Sequence, residues 1–254
     1  MKIGKLIYSD IPKFFYALRY LRNKKTIHSR GIKFDLIIDN FITKFRARTF
    51  NEKEPDTLNW IDENLNENDC FFDIGANIGV YSLYSYKKIK NILILAFEPE
   101  YSNLDQLKKN IILNSANDAI IPYSIALSNK TELSYLNVQN PIPGSALHIE
   151  SKKILTNIAT ERKVIFKEGV SCYKLDDFVS ITGFQPSLIK IDVDGNEMKI
   201  LEGATNTLMN KKLRSILLEI DKKSDYNKIK KYLEDANFKY ISKFNENQIW
   251  SKSR

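Results

Sequence analysis

The most constraining feature of this sequence is an alternation of short apolar runs with helical patterns from residue 70 onward. Five runs have the length and the β-branched or aromatic content of buried strands. They are Cys70 to Ile74, Ile92 to Phe97, Ile120 to Ala126, Leu188 to Val193 and Ile216 to Ile220. Helical patterns separate them, an order typical of parallel strands whose connecting helices cover both faces of a sheet. The sequence therefore predicts an α/β fold with helices on both faces, and the extended stretch 240–250 predicts a final antiparallel hairpin.

A basic arm precedes this alternation. Pro12 suits the first turn of a helix, and Phe14, Leu18 and Leu21 follow at helical spacing. Residues 1–48 hold twelve basic and three acidic side chains, a net charge of +9, whereas the rest holds 27 basic and 28 acidic ones. The excess positive charge therefore belongs to the arm, which excludes a protein that is basic throughout.

Two patterns between the arm and residue 70 predict local structure. Runs 34–38 and 41–46 resemble strands and flank Asp39-Asn40, which favours a β-hairpin. A charged helix is expected around 56–65. The predicted domains are a basic N-terminal helix and hairpin arm, 1–50, and a second domain, 51–254, with an insertion near 131–168.

Composition and length exclude several classes of protein. A chain that is 43% hydrophobic and 28% charged is neither disordered nor fibrous. No apolar run approaches the roughly 20 residues that cross a bilayer, and the first ten residues lack the features of a signal peptide. Cys70 and Cys172 are too few for a disulfide framework or a cysteine zinc site. We therefore expect a cytoplasmic globular protein.

A glycine-containing turn follows the first strand, where residues 72–79 read FDIGANIG. Glycines let the backbone approach a ligand closely, and the following helix N-terminus supplies free N–H donors. The third glycine of the dinucleotide fingerprint is missing, and an acid precedes the turn. A carboxylate there repels a pyrophosphate but suits an ammonium group such as that of S-adenosylmethionine, which disfavours NAD. The alternative is a generic glycine turn. The candidate cofactor residues are Asp73, Gly75, Ala76, Asn77 and Gly79.

The ends of the second and third strands add weaker signals. Glu98 and Pro99 follow the second strand, and an acid at this position accepts hydrogen bonds from the hydroxyls of a ribose. For Glu100 we prefer the interpretation of a solvated loop acid. Ser124 and Ala126 end the third strand, where an adenine would lie against backbone and small side chains.

Three acids follow the fourth strand within six positions: Asp192, Asp194 and Glu197. Ligands of open α/β sheets bind beyond the carboxyl ends of the strands, so these acids should face the same crevice as Asp73 and Glu98. Clustered carboxylates repel one another, a cost that a purely structural loop has no reason to carry. The alternative is that Asp194 and Glu197 cap the next helix while Asp192 pairs with Lys190.

Six blocks in this order resemble the FkbM family of S-adenosylmethionine-dependent methyltransferases. They are residues 73–79, 97–99, 126–128, 175–177, 190–197 and 218–219. The resemblance implies a class I (Rossmann-like) seven-stranded sheet, with Asp73 and Gly75 near the methionine of the cofactor, Glu98 on its ribose and 124–128 around its adenine. It also implies O-methylation, commonly of sugar hydroxyls of glycans, glycolipids or natural products. Asp194 stands where the family usually has Glu.

A sugar hydroxyl needs a base to take its proton, and four residues are candidates. We rank Asp194 first, with Asp192 and Glu197 holding sugar hydroxyls, and His148 in the insertion as a rival. The acids could also hold Mg²⁺ or Ca²⁺, since these ions take oxygen ligands, but the spacing does not decide it, and we assign no metal site.

Competing classes remain open from the sequence. Asp73 and the missing glycine argue against a dinucleotide oxidoreductase. The basic arm keeps an RNA or other nucleic-acid methyltransferase as the alternative function, because Lys and Arg neutralise phosphates. The chain lacks the Pro-Pro-aromatic arrangement that serves exocyclic base amines, so a small-molecule or glycan acceptor is the prediction. For residues 10–30 we predict peripheral association with an anionic inner membrane surface, with a helix packed on the sheet as the alternative.

Overall fold

The structure is a computed structural model that describes residues 23–146, 149–150, 164–220 and 225–252. Its strands are β1 (Lys24–Ser29), β2 (Ile32–Ile37), β3 (Cys70–Ile74), β4 (Leu93–Phe97), β5 (Ile120–Tyr123), β6 (Ala126–Leu127), β7 (Glu132–Val138), β8 (Ile149–Glu150), β9 (Phe166–Tyr173), β10 (Leu188–Ile191), β11 (Ser215–Glu219), β12 (Phe238–Phe244) and β13 (Asn247–Lys252). Its helices are α1 (Phe41–Lys53), α2 (Pro55–Asn64), α3 (Val80–Lys88), α4 (Tyr101–Leu113), α5 (Leu175–Thr182), α6 (Glu197–Glu202), α7 (Thr205–Met209) and α8 (Tyr226–Asp235). Within these ranges no helix is long and apolar enough to cross a membrane.

Seven strands form the central sheet, in the order β12-β13-β11-β10-β3-β4-β5. The strands from β11 to β5 are parallel, and β12 and β13 form an antiparallel hairpin at one edge. Ile74 pairs with Ile191 on one side and with Phe97 on the other, so the carboxyl ends of β10, β3 and β4 lie level. The predicted seven-stranded α/β fold is confirmed.

Side chains of the central strands alternate between two cores. Phe71 packs against Trp60 in a core that also includes α3, α4 and the β1–β2 hairpin. Phe72 packs against Phe97 and Phe178 in a second core with α5 to α8. Because successive residues of a strand point to opposite faces, an entirely buried strand such as β3 needs a layer of helices on each face.

The N-terminal hairpin exists, but it lies earlier in the chain than the pattern indicates. Strands β1 and β2 pair antiparallel and turn at Arg30-Gly31, where both residues have positive φ. The prediction of a strand over 41–46 is wrong, because this stretch belongs to α1. Asn40 Oδ1 accepts hydrogen bonds from the N–H groups of Ile42 and Thr43 and so caps the helix. A turn and an N-cap use the same side-chain acceptor, which is why Asp39-Asn40 resembles a hairpin turn.

A second sheet, in the order β6-β9-β7-β8, contains the insertion. The predicted third strand is divided at 124–125, since β5 belongs to the central sheet and β6 to this one. The helical pattern between Leu188 to Val193 and Ile216 to Ile220 is likewise two helices, α6 and α7, which are divided at Gly203. A Cβ on Gly203 would lie 2.1 Å from the carbonyl oxygen of Ser128, so the chain passes too close there for another residue. The helix predicted from Pro12 lies outside the described residues, and the domain boundary at residue 50 stays a prediction.

Candidate active site

The glycine turn lies at the carboxyl edge of the sheet between β3 and β4. The N–H groups of Gly75 and Ala76 both donate to the carbonyl oxygen of Phe97 at 3.0 Å. Gly75, Asn77 and Gly79 all have positive φ, and Gly79 begins α3. Two hydrogen bonds therefore hold the turn against the end of β4, and its two glycines supply backbone conformations that other residues rarely adopt.

The turn also touches the loop that follows β10. A Cβ added to Gly75 would lie 1.9 Å from the carbonyl oxygen of Asp192 and 3.3 Å from Val193 Cγ1. No side chain fits in this gap. Gly75 thus allows the acid-bearing loop to pack directly against the turn, and the structure brings these two predicted regions together.

Glu98 is buried beside the turn and braces it. Its Oε2 accepts the N–H of Asn77 at 2.8 Å, and its Oε1 accepts the N–H of Glu100 at 3.0 Å. Burial raises the pKa of Glu98 to about 7. A carboxyl group at this strand end is the type of side chain that accepts hydrogen bonds from the hydroxyls of a ribose. The interpretation of Glu100 as a solvated acid is wrong, since Glu100 is buried and accepts the N–H of Asn103 at the start of α4.

Asp73 lies beneath the turn, fully buried. Ser82 Oγ donates to its Oδ2 at 2.6 Å, and the buried ammonium of Lys190 lies 3.7 Å from its Oδ1. Asp73 Oδ1 accepts no hydrogen bond from the part of the chain that is described. Burial raises the pKa of Asp73, against the opposing effect of Lys190. Asp73 is thus a buried acid whose cation comes from the neighbouring strand.

Lys190 joins Asp73 to the carboxylates at the ends of β10 and β11. Its Nζ donates to Asp192 Oδ2 at 2.8 Å. Although burial opposes ionisation, Lys190 holds the pKa of Asp192 well below its usual range. Glu219 is hydrogen-bonded to Asp192, and the negative charge of Asp192 raises the pKa of Glu219 to about 9. The two opposite shifts favour a proton on Glu219 over one on Asp192.

The other two acids of the loop differ in their surroundings. Glu197 is buried, and its Oε1 accepts the N–H of Gly195 at 2.9 Å, so it stabilises the entry to α6. Asp194 is half-buried and lines a cleft in front of Gly75. The structure therefore gives Asp192 its expected pairing with Lys190, gives Glu197 a helix-entry hydrogen bond, and leaves Asp194 facing the cleft.

The cleft runs along the carboxyl ends of the central strands. Its walls are mainly apolar, with Asp194, Asn196 and Glu150 as the polar exceptions. The lining residues are Ile74, Gly75, Phe97, Pro99, Ile125, Ala126, Leu127, Leu136, Glu150, Val193, Asp194, Asn196 and Ile200. Of the two residues predicted around adenine, Ala126 lines the cleft, whereas Ser124 is exposed outside it. Pro99, predicted as a cofactor residue after the second strand, also lines the cleft.

Two acids of this region were not predicted as site residues. Glu150 lines the cleft from β8, and its carboxylate accepts a hydrogen bond from Ser134 Oγ and lies 3.3 Å from Lys199 Nζ. Glu219 ends β11, beside Asp192. A buried apolar strand that ends in an acid is a usable signal for Glu219, but nothing in the local sequence places Glu150 beside Asp194. His148 lies outside the described residues.

The arrangement of a parallel sheet, a glycine turn and strand-end carboxylates defines a Rossmann-like methyltransferase fold, and the family comparison agrees. The model of the methyltransferase FkbM domain matches residues 73–240. The chain therefore belongs to the FkbM methyltransferase family, whose cofactor is S-adenosylmethionine.

Curated relatives are enzymes of the same kind. The hexuronic acid methyltransferase AglP of Haloferax volcanii is 26% identical over 197 residues, which cover 77% of this chain and 74% of that protein. The methyltransferase sdnD of Sordaria araneosa is 30% identical over 162 residues, 55% of this chain and 62% of that protein. A crystal structure of an FkbM methyltransferase from Methylobacillus flagellatus has a TM-score of 0.52 at 14% identity and covers 98% of this chain and 60% of its own. That structural likeness concerns the fold alone.

The chemistry of the cleft fits S-adenosylmethionine. The apolar wall from Phe97 to Leu127 suits a purine. Glu98 lies between two lining residues, Phe97 and Pro99, and its type suits the hydroxyls of a ribose. The backbone of the glycine turn at Gly75 forms part of the lining.

Proposed function

We propose that this chain is an S-adenosylmethionine-dependent O-methyltransferase that acts on a sugar hydroxyl of a glycan, glycolipid or related metabolite. Membership of a methyltransferase family supports the reaction class. The similarity to a hexuronic acid methyltransferase over 77% of the chain supports a sugar as acceptor. The observation that carries the proposal is the contact between Gly75 and the loop of Asp192 and Asp194, because it sets carboxylates beside the turn expected to hold the cofactor.

The proposed cofactor contacts follow the order of the strands. Gly75, Ala76, Asn77 and Gly79 would hold the methionine portion through the backbone of the turn, which Asp73 would support from below through its contacts with Ser82 and Lys190. Glu98 would accept the ribose hydroxyls. Pro99 and Ala126 would contact the adenine, and Ser124 is the member of the predicted set with least support, since it is exposed outside the cleft.

When bound, the cofactor supplies a methyl group that is open to attack by a nucleophile. The enzyme has to hold the acceptor oxygen in line behind the methyl carbon, exclude water and remove the hydroxyl proton. The mainly apolar lining of the cleft serves the exclusion of water. The carboxylates of the loop after β10 are the groups available for the hydroxyl and its proton.

Asp194 is the best-supported base among the four candidates. Asp192 is a weak base, because Lys190 and the proton on Glu219 both stabilise its negative charge. Glu197 is buried against the start of α6 and accepts the N–H of Gly195. Asp194 faces the cleft beside Gly75. We therefore propose that Asp192 orients the acceptor hydroxyl and that Asp194 accepts its proton. His148 stays a rival on sequence grounds.

The test of this assignment is Asp194→Asn, with Asp118→Asn on the exposed surface as matched control. We expect kcat for methyl transfer to a uronic acid glycoside to fall by about 10²-fold or more, since general base catalysis contributes about 10²–10⁴-fold. Binding of S-adenosylhomocysteine, followed by thermal shift, should not change. A variant that turns over at the parental rate while binding the cofactor product would exclude Asp194 as the base.

Location and partners belong to the proposal as well. We propose a cytoplasmic enzyme whose basic residues 10–30 associate with an anionic inner membrane surface. The charge of residues 1–48 supports it. Binding to nucleic acid is the alternative, and a steep loss of RNA binding with salt, together with methyl transfer to RNA, would favour it.

A further inference from the structure

One face of α1 exposes two phenylalanines to solvent among cations. Phe41 is 69% exposed and Phe45 is 50% exposed, one helical turn apart. Lys44 and Arg48 are exposed on the same face, at the spacing that places residues i, i+3, i+4 and i+7 in one stripe. We call these four residues the α1 stripe.

The α1 stripe borders a shallow apolar groove. The rest of its lining is Lys25 from β1, Ile38 between β2 and α1, and Ile42 in the first turn of α1. Among the residues that line it, three are cationic and none is acidic. Asp39 is the adjacent acid in the chain, and it accepts a hydrogen bond from Asn40 Nδ2. The groove is thus an aromatic and aliphatic surface with a positive rim.

We propose that the α1 stripe is a docking surface for an anionic lipid bilayer. Phenylalanine rings enter the boundary between headgroups and acyl chains, while flanking Lys and Arg bind acidic headgroups and place their aliphatic stems along the apolar surface. Two other possible occupants of the groove, a second copy of the chain and residues 1–22, are positively charged and would be repelled by its rim. A second copy would bring Lys44 and Arg48 against their equivalents, and residues 1–22 contain five basic side chains and one acidic.

The docking surface is connected to the cleft by one hydrogen-bonded turn. Asn40 Nδ2 donates to the carbonyl oxygen of Pro143 at 3.1 Å, and Arg46 Nε donates to that of Gly144 at 2.6 Å. From the other side, Asn77 Nδ2 of the glycine turn donates to the carbonyl oxygen of Ser145 at 2.6 Å. A bilayer on the α1 stripe would therefore lie on the side of the molecule where residues 143–145 contact the glycine turn.

The experiment is sedimentation of the full chain with vesicles, of phosphatidylcholine alone or with phosphatidylglycerol added. We expect binding to the anionic vesicles, little binding to phosphatidylcholine, and weakening by salt. Phe41→Ser with Phe45→Ser should reduce binding by about tenfold or more, because the apolar contribution of both rings is lost. Leu133→Ser with Ile181→Ser removes exposed apolar side chains elsewhere and should leave binding unchanged.

Four results would overturn the proposal. The first is no binding of the parent chain to anionic vesicles, and the second is equal binding by the Phe41→Ser, Phe45→Ser variant. The third is loss of binding only in Phe14→Ser with Leu18→Ser, which would assign the membrane contact to the arm alone. The fourth is a dimer that dissociates in the Phe41→Ser, Phe45→Ser variant, which would make the face an interface between copies. None of these measurements depends on methyl transfer, so the docking surface and the proposed methyltransferase activity fail separately.

Discussion

The cleft has two walls that differ in origin and in what they determine. One wall, the sheet wall, is the carboxyl edge of the central sheet, with Gly75, Phe97 and the loop after β10. The other, the insertion wall, comes from the second sheet, with Leu136 and Glu150. The first is built from buried parallel strands and a polar network around Lys190, whereas the second is held by contacts such as that between Glu150 and Lys199. We therefore propose that the wall formed by the central sheet binds the cofactor and that the wall formed by the insertion selects the acceptor.

The largest expected effect on the sheet wall comes from Lys190→Met. Lys190 is fully buried and is the ion-pair partner of both Asp73 and Asp192, so its loss leaves the fully buried Asp73 and the partly exposed Asp192 without that cation. We expect the free energy of unfolding to fall by about 3–5 kcal/mol. Urea unfolding would measure it, with Lys228→Met, which removes a surface ion pair with Glu202, as control. Equal stability of the two variants would show that the buried network is not what holds the sheet wall.

Gly75→Ala tests the contact between the turn and the acid-bearing loop. The Cβ would meet the Asp192 carbonyl oxygen at 1.9 Å, and the positive φ is unfavourable for alanine. We expect a loss of about 2–4 kcal/mol and loss of stabilisation by S-adenosylhomocysteine. Gly183→Ala is the matched control, since Gly183 also has positive φ but a Cβ there meets nothing within 4 Å. Normal cofactor binding by Gly75→Ala would contradict the proposed site.

Glu219→Gln tests the shared proton. The folded pKa of Glu219 is raised to about 9, mainly by the charge of Asp192. From about pH 4.5 to 9 the folded protein keeps a proton that the unfolded chain releases, so this carboxyl makes stability fall as pH rises through that range. Glutamine does not titrate. We expect the parent chain to lose about 2 kcal/mol relative to the variant between pH 5 and 9, by urea unfolding at each pH, after allowance for solvent screening. A difference that does not change with pH would exclude the pair.

The smallest effect on stability, and the sharpest test of the insertion wall, is expected for Glu150→Gln. Glutamine keeps the shape and its carbonyl oxygen can still accept a hydrogen bond, so folding should change by less than about 1 kcal/mol. We expect KM for the sugar acceptor to rise while affinity for S-adenosylhomocysteine stays the same. Kinetics at saturating cofactor would measure the first and calorimetry the second. The reverse result would assign Glu150 to the cofactor.

The sheet wall could be predicted from the sequence because its signals are local. Strands β3 and β4 end at Ile74 and Phe97, and the glycine turn lies between β3 and α3. Each is one contiguous stretch of sequence, so its residue types alone indicate its structure. The error at 41–46 arose because an Asn side chain serves a turn and a helix cap equally well. The break between α6 and α7 at Gly203 could not be predicted, because it reflects a close approach to Ser128, which is 75 residues away in the chain.

The insertion wall could not be predicted in the same way. Glu150 meets Ser134 and Lys199, which are 16 and 49 residues away in the chain, and no short pattern records such contacts. The proton shared by Asp192 and Glu219 likewise depends on the neighbouring positions of β10 and β11 in the sheet. The sequence indicated three acids after β10, but only their surroundings distinguish Asp194 from Asp192 and Glu197.

Methyl transfer to a sugar hydroxyl can be followed with a labelled cofactor. The chain is incubated with S-adenosylmethionine carrying a labelled methyl group and with uronic acid glycosides, with RNA in a parallel reaction. We predict that the label appears as a sugar O-methyl ether in equal amount to the S-adenosylhomocysteine formed, and that Asp194→Asn lowers the rate of formation of both by about 10²-fold or more. Label found only in RNA, or S-adenosylhomocysteine binding without any transfer to sugars, would exclude a sugar O-methyltransferase.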